Sequence, residues 1–291
     1  MSVGDVENEV LSLKAEIKRL RKSLSELTPP LSVLLRRRGF TIYKKEPPAD
    51  LLIPEARFVD TYYRFLTKYS FRLFLRDVIK HQECFSARDV SRYATQRVTA
   101  NYIESLLRIG LIKKADEDNV YRLNHRPIRS FGPTLEWFVS EIFKREFAAE
   151  AIWGIKFKRP VVGGDYDLIV KIDGSILDME IKSSPPKQIY ANEITAFCDR
   201  VFDLKPELTI FFIDTELRMK DKIVPMFEDE LRRRIPDDIT AFFGVRESLR
   251  VERIEKELFH IEEKIFIINA KDSIVHNIER VLIRFFRRTY E

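Results

Sequence analysis

Apolar positions near the start of the chain recur every three or four residues and predict a helix. They are Val6, Val10, Leu13, Ile17, Leu20, Leu24 and Leu27. This heptad spacing is typical of a helix that pairs with another helix. The pattern ends at Pro29-Pro30, because proline cannot continue a helix. We predict a coiled-coil helix over residues 1–28 that dimerises the chain, in parallel or antiparallel orientation; the alternative is an amphipathic helix packed on its own domain.

Residues 29–69 show no sustained periodicity. A short strand is predicted near 40–44, and Pro47, Pro48 and Pro54 indicate irregular structure after it. We interpret this segment as a connector.

Residues 70–128 have the spacing of three short helices followed by a hairpin. The predicted helices cover 71–81, 87–94 with Ser86 as N-cap, and 100–109 with Thr99 as N-cap. Gly110 ends the third helix, and two short strands flank a polar tip at 116–119. This order resembles a winged helix-turn-helix domain.

The winged-helix resemblance implies DNA binding, with the third helix in the major groove and the wing on the backbone. By this resemblance the DNA-contacting residues are Arg97, Asn101 and Tyr102 on the helix and Lys113, Lys114 and Arg122 on the wing. Winged helices also serve as protein–protein modules, and that alternative stays open.

From residue 129 onward, strands alternate with helices. Strands are predicted at 155–160, 167–172, 176–183, 208–213 and 264–269, and helices at 134–149, 190–202, 220–234, 245–259 and 272–288. The predominantly apolar runs at 208–213 and 265–268 predict interior strands covered on both faces. We therefore predict an α/β domain over 129–291, with a mixed sheet and flanking helices.

Charge divides the chain in a way that fits nucleic-acid binding in the first half. Residues 1–130 hold 25 lysines and arginines against 16 acidic residues, and the remainder holds 26 against 30. The only cysteines, Cys84 and Cys198, lack metal-ligand spacing and predict no disulfide. Because the N-terminus is charged and no apolar run is long enough to span a bilayer, we expect a cytoplasmic protein.

The residues with the clearest chemistry lie on two neighbouring predicted strands. Alternation along a strand places Glu180 and Lys182 on one face, and Asp167 opens the strand before it, after Gly163-Gly164. If the two strands form a hairpin, Asp167 and Glu180 converge. A divalent cation would relieve their repulsion, and hard oxygen ligands favour Mg²⁺ or Mn²⁺. The alternative is a salt bridge between Lys182 and one acid in a non-catalytic fold.

This arrangement resembles the active site of the PD-(D/E)xK nuclease superfamily over residues 131–215. Archaeal Holliday junction resolvases and Mrr-like restriction endonucleases are nearest in layout, although Tyr166 stands where the family name has proline. The resemblance implies a restriction-endonuclease-like fold. It also implies that Asp167, Glu180 and the Ile181 carbonyl bind the metal and that Lys182 is catalytic.

Members of the superfamily often add a glutamate from the preceding helix. The predicted buried stripe of that helix comprises Leu135, Phe138, Val139, Ile142 and Phe143. Glu136 lies on its flank near the helix start, so we select Glu136, with Glu146 as the reserve candidate.

These patterns together predict a homodimeric, Mg²⁺- or Mn²⁺-dependent DNA endonuclease. The alternative is a winged-helix DNA-binding regulator or scaffold with a non-catalytic nuclease fold. An RNA nuclease ranks lower, because no aromatic platform for stacking single-stranded bases is evident. The preferred DNA structure, and any partner protein that directs cleavage, are not encoded in these motifs.

Overall fold

A computed structural model describes residues 28–45, 50–124, 127–158, 162–234, 236–244 and 249–290, together with residues 12, 13, 16, 19, 20 and 23. Most of the predicted coiled-coil helix, 1–28, therefore lies outside the described residues. Leu13 and Leu20 are helical and 56% and 55% exposed. The coiled coil and the dimer stay predictions.

The helices and strands follow one another as a mixed α/β fold. The strands are β1 (Ile42–Lys45), β2 (Phe85–Ser86), β3 (Ile112–Lys114), β4 (Val120–Leu123), β5 (Glu150–Phe157), β6 (Tyr166–Ile172), β7 (Ser175–Lys182), β8 (Leu208–Ile213), β9 (Glu252–Glu255), β10 (Leu258–Ile261) and β11 (Ile265–Asn269). The helices are α1 (Leu31–Arg37), α2 (Val59–Leu66), α3 (Tyr69–Lys80), α4 (Gln96–Arg108), α5 (Gly132–Glu146), α6 (Ala191–Leu204), α7 (Ile223–Arg233), α8 (Pro236–Phe243) and α9 (Ile274–Tyr290).

An eight-stranded mixed sheet, in the order β1-β5-β6-β7-β8-β11-β10-β9, carries helices on its two faces. Strands β7, β8 and β11 run parallel, and the other neighbours are antiparallel. Every residue of β8 is buried: Ile210 and Phe212 pack in one apolar cluster, and Phe211 and Ile213 pack in the opposite one. This confirms the predicted mixed sheet with interior strands covered on both faces.

The segment predicted as a connector, 29–69, contains regular structure. It supplies α1, β1, a short 3₁₀ turn at Ala56–Phe58 and α2. Strand β1 pairs with β5 at the edge of the large sheet, and Leu31, Leu35 and Phe40 pack beneath it. The strand predicted near 40–44 corresponds to β1, whereas α1 and α2 were not predicted, because their buried residues are few. The division into domains itself stays a prediction.

The region predicted as a winged helix, 70–128, forms α3, α4 and a three-stranded sheet, β2-β4-β3. The predicted helix at 87–94 is wrong: these residues form turns, and the backbone and hydroxyl of Ser86 donate to the Asp89 carboxylate. Only Val90 is buried there, so an amphipathic helix would have no apolar face to pack. The winged-helix resemblance stays a prediction.

Two further expectations about helices are corrected. Thr95 caps α4 by accepting from the Val98 backbone, whereas Thr99 is buried inside the helix. Residues 245–248 of the predicted helix at 245–259 lie outside the described residues. The second half of this prediction is wrong, because β9 and β10 form an antiparallel hairpin there. All four residues of β10 are buried, so pairing with β11 overrides the helix-like spacing of Leu249, Ile254 and Leu258. Helix α8 was not predicted.

Helix α3 is fixed to the large sheet by a buried ion pair between Arg72 and Asp214, which directly follows β8. One apolar cluster continues from α2 and α3 through α5 to the near face of the sheet. The helical region and the sheet therefore share a core. In the described part of the chain, no helix combines the length and the apolar character required to cross a membrane.

Candidate active site

Asp167 and Glu180 lie side by side where β6 and β7 meet. The antiparallel register pairs Leu168 with Met179, and one step further places Asp167 opposite Glu180. Because Leu168 and Met179 face the core shared with α5, the two carboxylates face the other side of the sheet. Asp167 Oδ2 accepts a hydrogen bond from the Ile181 backbone at 2.8 Å. The two strands are thus the hairpin neighbours that the sequence argument required.

Lys182 reaches the same place from the end of β7. Its Nζ lies 2.8 Å from Glu180 Oε1 and 3.0 Å from Glu193 Oε2 on α6. Burial would lower the pKa of Lys182, but the charge of Glu180 and the bonds to Glu180 and Glu193 raise it to about 12. The lysine is therefore held fully protonated at neutral pH. Glu193 was not selected from the sequence.

Arg200 is the second site residue that the sequence analysis missed. Its Nη2 lies 2.5 Å from Glu180 Oε2, and the residue is 7% exposed. The available signal was its position on α6, in the stripe that buries Phe197, Val201 and Leu204. A charged residue in an apolar stripe requires a buried partner.

Burial is the main cause of the raised pKa values of two carboxyl groups in the site. The pKa of Asp167 lies well above its ordinary value, because burial and then the charges of Glu180 and Glu136 disfavour ionisation. Asp178 lies on the same face of β7; burial raises its pKa to about 7, with Arg200 opposing the shift and Glu180 adding to it. With both carboxyl groups ionised, as metal ligands would be, the site holds more negative charge than Lys182 and Arg200 neutralise.

The two glutamates proposed from α5 have different surroundings. Glu136 is partly buried and its charge acts on Asp167. Glu146, at the far end of the helix, accepts a hydrogen bond from the Tyr63 hydroxyl at 2.8 Å. The choice of Glu136 over Glu146 as a member of the site stays a prediction. Asp165 lies two residues before Asp167 but forms an ion pair with Lys156 at 2.8 Å.

The donor set suits a hard divalent cation, although it is not arranged as a closed metal cage. Within the ranges that the structure describes, no three His, Cys, Asp or Glu side chains are grouped as metal ligands. Glu180 has both oxygens on cationic side chains. Asp167 and Glu180 still face each other as repelling oxygen donors, which Mg²⁺ or Mn²⁺ would stabilise. The role predicted for the Ile181 carbonyl stays a prediction.

The residues predicted to contact DNA are mostly exposed. Arg97 and Asn101 lie one turn apart on α4, and Lys113 pairs across the hairpin with Arg122. Lys114 is also exposed.

The prediction that Tyr102 contacts DNA is wrong, because Tyr102 is a core residue. It is 5% exposed, and its ring packs against Phe71 and Phe74 with centroids 5.0 and 5.3 Å apart. Its hydroxyl shares a hydrogen bond with Ser70. It lies in the buried stripe of α4 with Ile103 and Leu106, so it cannot face a base.

Comparisons with known proteins give only distant likenesses. No protein-family model and no curated protein matches the chain. The chain is similar to Can2 from Sulfobacillus thermosulfidooxidans in complex with cyclic tetra-adenylate, with a TM-score of 0.46 and 14% identity over 88% of this chain and 60% of that one. It is also similar to VC1899 from Vibrio cholerae, with a TM-score of 0.43 and 12% identity over 65% and 53%. This chain spans less than two thirds of either structure, and likenesses at this level identify no family.

Proposed function

We propose that this chain is a divalent-metal-dependent nuclease of the PD-(D/E)xK type that hydrolyses DNA phosphodiester bonds. The observation that carries the proposal is the meeting of Asp167, Glu180 and Lys182 on one sheet face, where two adjacent strands meet. A purely structural salt bridge between Lys182 and one acid would not need a second carboxylate directly opposite the first. The surplus of negative charge supports a cation-binding role.

The residues divide into metal ligands and a phosphate-stabilising lysine. Asp167, Glu180 and Glu136 would hold Mg²⁺ or Mn²⁺, which when bound polarises a phosphoryl oxygen and lowers the pKa of a water molecule. Lys182 is fixed by Glu180 and Glu193 and has a pKa of about 12. It therefore stabilises developing negative charge on the phosphate and does not act as a general base.

DNA is the proposed substrate because exposed basic groups lie on the helical region. Arg97 and Asn101 on α4, and Lys113, Lys114 and Arg122 on the β3–β4 hairpin, would bind phosphates. The homodimer through residues 1–28 would supply two active sites for two strands. A partner protein that directs cleavage is compatible with this arrangement.

One observation favours the second candidate, a DNA-binding regulator or scaffold with a non-catalytic nuclease fold. Lys182 and Arg200 already occupy both oxygens of Glu180, so this carboxylate is compensated without a cation. The excess charge around Asp167 is not explained by that function, which is why the nuclease ranks first.

Cleavage of labelled duplex, single-stranded, flap and four-way-junction DNA, and of single-stranded RNA, tests the proposal. We expect cutting that depends on Mg²⁺ or Mn²⁺ and falls about 10²–10³-fold in Lys182→Ala. Lys144→Ala, on the exposed face of α5, is the matched control and should keep wild-type activity. If no substrate is cut with either metal while DNA is bound, the regulator is correct. Preferential cutting of RNA would replace the proposed substrate.

A further inference from the structure

Arg200 is a buried part of the site, although it lies 20 residues after Glu180 in the sequence. It contacts Glu180 from α6, and its charge also acts on Asp178 and Asp167. The loop before β6 is shaped around it: a Cβ on Gly164 would lie 3.2 Å from Arg200 Nη1, and Gly164 has φ of +118°. A side chain at Gly164 would crowd the guanidinium, so loop and arginine fit each other.

Four charged side chains form an alternating row across the site. Glu193 contacts Lys182 at 3.0 Å, Lys182 contacts Glu180 at 2.8 Å, and Glu180 contacts Arg200 at 2.5 Å. Glu180 lies between the two cationic groups and uses one oxygen for each. A divalent cation that binds Glu180 must therefore share an oxygen with Lys182 or Arg200, or displace one of them.

The two cationic groups are not equivalent in this exchange. Lys182 retains Glu193 as a partner when it leaves Glu180. Arg200 lies near Asp178, which is buried on the same face of β7. Both side chains stay charged at neutral pH and repel an incoming cation, but Arg200 has no second carboxylate at salt-bridge distance among the described residues. At such short range inside the protein, that repulsion is large.

We propose that Arg200 is a positioning residue: it is the resident counter-ion that orients Glu180 beside Asp167 and competes with the divalent cation for it. It thereby sets the metal affinity of the site. This inference rests on the proposed metal-dependent nuclease. It assigns to Arg200 a role that its burial alone would not give.

Binding of Mn²⁺ to the full chain, followed by the electron paramagnetic resonance signal of free Mn²⁺, tests the inference without activity. Arg200→Gln keeps a hydrogen-bond donor for Glu180 and removes the charge. We expect it to bind Mn²⁺ at least about tenfold more tightly than wild type. Arg200→Lys, the charge-matched control, should stay within about threefold of wild type. Unchanged or weaker binding by Arg200→Gln would overturn the inference.

Two results separate this inference from the proposed nuclease. If wild type binds Mn²⁺, Asp167→Asn abolishes binding and Arg200→Gln matches wild type, the nuclease proposal stands and the inference fails. If no variant binds Mn²⁺, the metal-dependent nuclease itself fails, and the inference falls with it.

Arg200→Gln leaves the buried Glu180 with one cationic partner, Lys182, in place of two. The folding of this variant is therefore measured by circular dichroism with and without Mn²⁺. If the variant is unfolded in the absence of metal, the inference expects Mn²⁺ to restore the fold, because the cation replaces the missing counter-ion. The double variant Asp167→Asn/Arg200→Gln should not be restored. Failure of Mn²⁺ to restore Arg200→Gln would show that Arg200 is only structural.

Discussion

Two buried arginine–carboxylate pairs lie in this molecule, and they differ in what surrounds them. Arg72 meets Asp214 at 2.8 Å and Arg200 meets Glu180 at 2.5 Å, all four side chains being buried. Around Asp214 the charges are satisfied: Arg76 takes its second oxygen, and Arg72 Nη1 donates to the Leu66 carbonyl.

Around Glu180, by contrast, carboxylates are in excess, with Asp167 and Asp178 on the same sheet face. This difference distinguishes a structural role of a buried ion pair from a proposed ligand-binding role. A saturated pair fixes elements to one another, whereas in our proposal the carboxylates beside Arg200 bind a divalent cation. The two are linked physically, because the Asp214 backbone donates to the Lys182 carbonyl at 2.8 Å. The structural pair therefore holds the strand end next to the site.

The largest expected effect is the loss of stability on breaking the saturated pair. Arg72→Met leaves Asp214 buried with only Arg76 as a charged partner. We expect the free energy of unfolding to fall by about 3–5 kcal/mol, measured by urea denaturation. Arg76→Met, which removes the more exposed partner, should cost less. A loss below about 1 kcal/mol for Arg72→Met would erase the distinction between the two pairs.

The opposite result is expected at the site with excess carboxylates. Asp167→Asn removes one of two repelling charges and keeps an oxygen that accepts from Ile181. The free energy of unfolding should stay within about 1 kcal/mol of wild type, while Mg²⁺-dependent cleavage falls about 10²–10³-fold, or about 3–4 kcal/mol in activation free energy. A destabilised variant with unchanged cleavage would mean that the cluster serves folding alone.

The sequence predicted those parts of the fold that local patterns determine. The predominantly apolar run of β8 predicts burial on both faces. The alternation of side chains along a strand places Glu180 and Lys182 on one face wherever the strand lies. The position of Asp167 could also be predicted, because an antiparallel hairpin places the start of β6 beside the end of β7.

The parts that the sequence missed depend on distant residues. Arg200 meets Glu180 only because α6 crosses the sheet, and no spacing along the chain encodes that contact. The strand at Leu258–Ile261 is imposed by pairing with β11. Tyr102 looked available because it lies near the start of a helix, but the rings of α3 bury it.

The smallest expected effect decides which part of α5 belongs to the site. The charge of Glu136 acts on Asp167, whereas Glu146 bonds to Tyr63. We expect Glu136→Gln to weaken Mn²⁺ binding about tenfold, equivalent to about 1.4 kcal/mol, with little change in stability. Glu146→Gln should leave Mn²⁺ binding unchanged and cost about 1 kcal/mol of stability, because the Tyr63 hydroxyl loses a charged acceptor. The reverse pattern would move the third carboxylate to the far end of the helix. A carboxylate at that end could not reach a cation held between Asp167 and Glu180. The two glutamates are ten residues apart, and an α-helix rises about 1.5 Å per residue.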